Sequence, residues 1–210
     1  MNDEPKKEVI IIAGGNGVGK TTFARAFLQE YPDYEFLNAD EIAREISPEN
    51  PSEKKISAGK LFFQKLNKAV EQNKSLLIES TLSGRYLQKM FETWRERNYQ
   101  IIIIFLFVES PDILIERIAE RVKKGGHFVP DEDVRRRFVR GKRNFWNVYK
   151  DLADSWSLFY NTNEGFKKIA AGEKVKIIRI EENLFESFLE SINETENKIK
   201  NGNLRENFRI

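Results

Sequence analysis

The chain has 210 residues, 40% of them hydrophobic and 32% charged, which suffices for one domain with a sizeable core. It contains no cysteine, and this excludes disulfide bonds, zinc–thiolate sites and a cysteine nucleophile. The N-terminus lacks the layout of a signal peptide, and the apolar run 101–108 is too short to span a membrane. We therefore expect a cytoplasmic protein without membrane contact.

Apolar runs rich in β-branched residues alternate along the chain with segments of helical periodicity. This alternation predicts an α/β fold, with a mainly parallel five-stranded sheet and helices on both faces. The predicted strands are 9–14, 34–40, 75–80, 100–110 and 156–162, with 173–180 as a candidate edge strand. The predicted helices are 20–31, 41–47, 52–73, 84–98, 111–124 and 131–154, followed by a terminal helix over 184–200. We expect one domain, residues 1–200, and a polar tail at 201–210.

The first predicted strand ends in a glycine-rich turn, GGNGVGKTT, residues 14–22. Its spacing matches G-x-x-x-x-G-K-[ST], the P-loop pattern, in which glycines let backbone N–H groups converge on a phosphate. The next helix points its positive N-terminal end at the same place. The pattern predicts a P-loop NTPase fold in which Lys20 contacts the phosphates of ATP and Thr21 binds Mg²⁺. The residues predicted to bind nucleotide are Gly15, Asn16, Gly17, Val18, Gly19, Lys20, Thr21 and Thr22.

Two more predicted strands end in acidic residues, at the sheet edge where ligands bind in parallel α/β folds. Asp40 follows the second strand, and it is either the N-cap of the next helix or a base that takes a proton from a substrate hydroxyl. Glu79 lies near the end of the third predicted strand, 75–80. It is an acid on the metal side, a residue that binds substrate hydroxyls, or part of a solvated strand end. We assign substrate contacts to Asp40, Glu79 and the neighbouring Thr81, and a catalytic role to Asp40.

The segment 115–145 is basic, since residues 114–143 contain ten Lys/Arg against five Asp/Glu. Arg117 and Arg121 share a helix face, a Gly-Gly pair breaks that helix, and a second arginine-rich helix follows. Such a segment predicts a helical lid that closes over phosphates. We assign Arg117 a catalytic role, Arg121 a nucleotide contact and Arg136 a substrate contact. Because positive charge is concentrated in one place, we expect a small anionic ligand and no nucleic acid.

Six segments, in this order along residues 9–163, resemble the zeta toxin family, particularly its short bacterial members. They are IIAGGNGVGKTTFA, NADEIA, ESTLSG, FVESPDILIERIAERVKKGGHFVP, RRRF and DSWSLFYN. The resemblance implies a kinase that uses ATP and Mg²⁺ to phosphorylate a sugar hydroxyl of a nucleotide sugar, UDP-N-acetylglucosamine. By position, it implies that Asp40 is the base, that Glu79 lies where the family binds the sugar, and that Arg117 is a lid arginine. It also leaves open an antitoxin protein as a partner.

Two other functions remain open from the sequence. One is another P-loop phosphotransferase, acting on an antibiotic, a nucleoside or a polynucleotide end. The other is a coupling ATPase or switch that releases no phosphorylated product. Such an ATPase is expected to contain a clear Walker-B acidic pair, a sensor region or a properly placed ABC signature, and a GTPase switch an N-K-x-D motif. The sequence contains none of these patterns, which favours the small-molecule kinase.

Overall fold

A computed structural model describes residues 6–47, 55–162, 164–173 and 176–200, which build a sheet with helices on both faces. The strands are β1 Glu8–Ala13, β2 Glu35–Asn38, β3 Leu76–Ser80, β4 Gln100–Phe107, β5 Ser155–Thr162, β6 Gly165–Glu173 and β7 Lys176–Arg179. The helices are α1 Lys20–Glu30, α2 Ala39–Ile46, α3 Lys55–Glu71, α4 Gln88–Glu96, α5 Pro111–Lys123, α6 Asp131–Asn144, α7 Lys150–Leu152 and α8 Glu182–Lys200. The tail predicted at 201–210 lies outside the described residues.

The strand order is β2-β3-β1-β4-β5-β6-β7, and the first five of these strands are parallel. The prediction of an α/β P-loop fold with a mainly parallel sheet is therefore confirmed. Two antiparallel strands, β6 and β7, extend the sheet beyond the five that the sequence predicts. β7 falls within the candidate edge strand 173–180. β6 is not predicted, because its sequence GFKKIAAGE mixes lysines, alanines and glycines that are depleted in strands.

The sheet separates two hydrophobic cores, because successive residues of a strand point to opposite faces. In β1, Val9 and Ile11 pack into the core that contains α3, α4 and α8, and Ile10 and Ile12 pack into the core beneath α1, α5 and α6. This is the three-layer arrangement that the continuous apolar runs predict. Within the described ranges, no helix combines the length and apolar character that crossing a bilayer requires.

Several boundaries of strands and helices differ from those predicted, among them the three that follow. β2 ends at Asn38 and α2 begins at Ala39, although the sequence predicts a strand up to residue 40. The predicted helix 131–154 contains a π-helical turn, Phe145–Tyr149, between α6 and α7. Turns of this kind occur inside α-helices and are frequent at functional sites. The predicted helix 84–98 is shorter in the structure, Gln88–Glu96.

Lys142 of α6 is a buried cation next to the sheet, with only 4% of its surface exposed. Its Nζ donates a hydrogen bond to Ser191 Oγ at 3.2 Å and lies 4.1 Å from the centre of the Phe138 ring. No carboxylate of the described residues forms an ion pair with it. Burial lowers the pKa of Lys142 from 10.5 to about 8. The charged form of this side chain therefore costs folding free energy at neutral pH.

We predict that Lys142→Met raises the free energy of unfolding at pH 7 by about 1–3 kcal/mol, because it removes a buried charge and keeps the packing volume. Between pH 8 and 10.5 the unfolded wild type binds more protons than the folded one, so wild-type stability rises with pH in this window. The variant should lack this rise. Urea unfolding across these pH values measures both effects, with the exposed Lys123→Met as control. A variant that is less stable than wild type at pH 7 contradicts the prediction.

Candidate active site

The glycine-rich turn joins β1 to the N-terminus of α1, and three of its glycines, Gly14, Gly17 and Gly19, require the absence of a side chain. Gly17 has a φ of 83° and Gly19 a φ of 93°, values that residues with a Cβ rarely adopt. A Cβ on Gly17 would lie 2.9 Å from Leu114 O, and one on Gly19 would lie 2.9 Å from Asn161 Nδ2. The turn is therefore packed closely against α5 and β5, with the first N–H groups of α1 at its centre.

Lys20, the first residue of α1, folds back over the turn. Its Nζ donates hydrogen bonds of 2.9 Å to both Gly14 O and Gly15 O. Desolvation in the cleft lowers the pKa of Lys20, and the negative charges of Glu79 and Asp40 oppose this shift. The ammonium group is thus held at the turn by two carbonyls, between two carboxylates and the anion-binding N–H groups.

Glu79, the last residue but one of β3, lies beside the turn, because it is paired in register with Ile12 of β1. It is only 8% exposed, and its Oε2 accepts a 3.1 Å hydrogen bond from Thr21 Oγ1. Burial raises the pKa of Glu79, while the nearby Lys20 and the bond from Thr21 lower it. The other oxygen, Oε1, is buried without a hydrogen-bond partner among the described residues. Of the three roles that the sequence leaves open for Glu79, the solvated strand end is wrong.

The oxygens of Thr21 and Glu79 fit a Mg²⁺ ion. Mg²⁺ is usually bound by one or two protein oxygens, and water and substrate phosphates complete its shell. A buried carboxylate oxygen without a donor is a suitable group to face such an ion. The described residues contain no group of three or more His, Cys, Asp or Glu side chains that could hold a metal by themselves.

Asp40 does not cap α2, so the N-cap alternative for this residue is wrong. The cap is Asn38, whose Oδ1 accepts hydrogen bonds from the backbone N–H groups of Asp40, at 2.9 Å, and Glu41, at 3.3 Å. Asp40 lies in the first turn of α2 with an exposed side chain. The sequence places the cap two residues late because it extends β2 to residue 40. The carboxylate of Asp40 is therefore available for another role.

Two cavities meet at the end of the sheet. The small cavity measures about 260 Å³ and extends from the turn towards α3. The large cavity measures about 600 Å³ and runs between α1, α2 and α5. Four residues line both cavities: Lys20, Asn38, Asp40 and Glu79. The small cavity is completed by Ala39, Ala43, Ala58, Ser80, Thr81, Ser83, Tyr86 and Arg137.

The arginines of segment 115–145 reach the site from two helices. Arg117 and Arg121 of α5 line the large cavity. Arg121 Nη2 also donates a 2.7 Å hydrogen bond to His127 O, which ties α5 to the loop before α6. Desolvation lowers the pKa of Arg121, and the neighbouring charge of Arg44 lowers it further.

Arg136 does not line either cavity, and its neighbour Arg137 occupies the expected place. Arg136 Nη2 lies 2.6 Å from Asp133 Oδ1, on the exposed side of α6. Arg137 lines the small cavity, and its Nη1 donates a 3.2 Å hydrogen bond to Asn16 Oδ1 of the glycine-rich turn. A rotation of about 100° per residue separates the two side chains. Residues 135–137 are all arginines, so the sequence does not indicate which of them faces the small cavity.

A third space, the side cavity, lies on the other side of the glycine-rich turn. It measures about 560 Å³, and Arg117 joins it to the large cavity. The side cavity is lined by Glu109, Ile113, Glu116, Arg117, Glu120, Tyr160, Asn161 and Thr162. Asn161 Nδ2 donates a 2.8 Å hydrogen bond to Val18 O, which fixes the end of β5 against the turn. The sequence indicates none of these residues except Arg117, because they carry no spacing pattern.

A protein-family model described as AAA domain (AAA_33) matches residues 9–141, which is more than half of the chain. An uncharacterized protein of Haemophilus influenzae is 32% identical over 133 residues, covering 63% of this chain and 94% of that protein. A chain of the AvrRxo1-ORF1:AvrRxo1-ORF2 complex with ATP superimposes with a TM-score of 0.68 at 15% identity, over 89% of this chain. This chain therefore spans only 64% of that chain's length.

A structure of the PezAT toxin–antitoxin system of Streptococcus pneumoniae has a TM-score of 0.63 at 15% identity, over 91% of this chain and 88% of that chain. At such identities the two structures establish a shared fold. The family match covers the glycine-rich turn, the acidic strand ends and both arginine-bearing helices. The chain belongs to the AAA-domain family AAA_33, and its P-loop implies that it binds ATP.

Proposed function

We propose that the protein is an ATP-dependent kinase that phosphorylates a sugar hydroxyl of a nucleotide sugar, with UDP-N-acetylglucosamine as acceptor. The observation that carries this proposal is the shared lining of the two cavities by Lys20, Asp40 and Glu79. A phosphoryl group held at the P-loop lies at the entrance of a second, separate cavity of acceptor size. A coupling ATPase needs only the first of these cavities. The resemblance to zeta toxins, and the shared fold with the PezAT structure, support the same function.

The large cavity and the side cavity together accommodate ATP. The triphosphate lies at the glycine-rich turn, where Lys20 exchanges its two carbonyl partners for phosphate oxygens. Arg117 and Arg121 approach the phosphates from α5. The adenine and ribose of ATP then extend into the side cavity, which borders the turn through Asn161. Thr21 and Glu79 would hold Mg²⁺, which would neutralise charge on the transferred phosphoryl group.

The small cavity has the lining expected for a sugar ring. Hydroxyl groups of Ser80, Thr81 and Ser83 offer hydrogen bonds, and the ring of Tyr86 offers a flat surface for packing. Asp40 lies where this cavity meets the phosphate site. It accepts the proton of the acceptor hydroxyl while that oxygen forms its bond to the γ-phosphorus. The bond from that phosphorus to the β–γ bridging oxygen breaks, and ADP leaves.

Two further arginines support an acceptor that carries phosphate. Arg25 of α1 and Arg44 of α2 line the large cavity on the side away from α5, together with Gln29. The phosphates of ATP at the P-loop already have Lys20 and the α5 arginines as positive partners. A nucleotide sugar places a diphosphate beside its sugar ring, and Arg25 and Arg44 give that diphosphate positive partners. A neutral acceptor would leave both guanidinium groups without a role in binding.

We predict that Asp40→Asn lowers the rate of phosphate transfer from ATP to UDP-N-acetylglucosamine about 10²–10⁴-fold, the range for loss of a general base. The melting temperature should hardly change, because Asn38 caps α2 and Asp40 does not. Glu45→Gln, on the exposed side of the same helix, is the control and should keep its activity. Full transfer activity in Asp40→Asn would contradict the proposed mechanism.

We predict that Arg137→Ala lowers the turnover number on the order of 10³-fold, because Arg137 alone of the pair faces the transferred phosphate between the P-loop and the small cavity. Arg136→Ala, which removes the same side chain from the exposed neighbouring position, should stay within about twofold of wild type. Initial rates at saturating ATP and acceptor make the comparison. Equal losses in both variants would show that the lid rotates, and would remove Arg137 from the proposed mechanism.

A further inference from the structure

The loop after β3, residues 81–84, has an unfavourable backbone at the wall of the small cavity. Leu82 has a φ of 50°, in the left-handed region that leucine rarely occupies, and its side chain is fully buried. On either side of it, Thr81 and Ser83 line the small cavity, and their hydroxyl groups lie 2.8 Å apart. A backbone of this kind persists only where its surroundings hold it in place, and such positions cluster at functional sites.

Local hydrogen bonds supply part of this support. Leu82 N donates to Ser80 Oγ at 3.1 Å, and Ser83 N donates to Thr81 Oγ1 at 3.4 Å. Further support comes from the helical run 131–152. Asn144 Nδ2 donates a 2.8 Å hydrogen bond to Leu82 O.

Two other residues of the same run contact the loop. Tyr149 OH donates a 2.9 Å hydrogen bond to Gly84 O. Gly141 allows the close approach, since a Cβ there would lie 2.5 Å from Thr81 O. The π-helical turn separates Asn144 from Tyr149 by five residues, and its i→i+5 hydrogen bonds bring residues at this spacing to similar positions around the axis. The turn therefore directs both donors at one loop.

The same helical run reaches the P-loop through Arg137, which donates to Asn16 Oδ1. One helix thus contacts both the loop that carries the phosphate site and the loop that lines the small cavity. We infer that Asn144 is a positioning residue of the acceptor site: it holds loop 81–84 in its left-handed conformation, so that the Thr81 and Ser83 hydroxyls face the acceptor. The expected effect on the KM for the acceptor rests on the proposed kinase function. The expected effect on the conformation of loop 81–84 rests on the hydrogen bonds alone.

The experiment compares wild type with Asn144→Leu, which keeps a side chain of similar size and removes the donor. Hydrogen exchange of the Leu82 and Ser83 amides should speed up roughly tenfold, the effect of one lost hydrogen bond. The KM for UDP-N-acetylglucosamine should rise roughly tenfold, while the KM for ATP should stay within about twofold. Asn67→Leu, the same change at an exposed residue of α3, should leave all three quantities near wild type.

Tyr149→Phe is a second, independent variant, because it removes only the hydroxyl that donates to Gly84 O. It should reproduce the selective rise in the KM for the acceptor. Unchanged exchange at Leu82 and Ser83 in both variants would overturn the inference, and so would a parallel rise in both KM values. If wild type does not phosphorylate UDP-N-acetylglucosamine, the proposed acceptor is wrong, and the exchange measurement by itself decides whether Asn144 positions the loop.

Discussion

The site depends on one electrostatic constraint, the position of Lys20 between two carboxylates in a desolvated cleft. Burial disfavours the charged ammonium group, and Glu79 and Asp40 favour it. The parallel sheet brings these three residues together, since β1, β2 and β3 all end at the same edge. One buried oxygen of Glu79 has no hydrogen-bond partner among the described residues, while Asp40 is exposed to solvent. A buried carboxylate oxygen without a partner is typical of a binding site and would be costly in a purely structural one.

Helix α6 and its π-helical turn are the second element on which the site depends. Arg137 connects this helix to the P-loop, and Asn144 and Tyr149 connect it to the loop after β3. The segment that the sequence identifies as a lid therefore already contacts both loops of the site. In the proposed kinase, the basic side chains of this segment contact phosphate and its helical geometry shapes the small cavity.

The sequence predicts those parts of the site that local chemistry determines. A glycine spacing defines the P-loop, and acidic residues at strand ends indicate Asp40 and Glu79. It cannot choose between Arg136 and Arg137, because the choice depends on how α6 is rotated against the sheet. It misplaces the cap of α2, because Asn38 and Asp40 both satisfy the N-cap preference. The sequence does not indicate Asn144 or Asn161, because each acts through a contact with a residue more than 60 positions away.

The central claim is that phosphate passes from ATP to a hydroxyl in the small cavity and does not pass to water. The most direct test incubates the wild-type protein with ATP, Mg²⁺ and UDP-N-acetylglucosamine and then measures the mass of the nucleotide sugar and the amount of ADP. We expect a nucleotide sugar heavier by one phosphate group, formed in equal amount to ADP. ADP and inorganic phosphate that accumulate while the mass of the nucleotide sugar stays unchanged would contradict the claim.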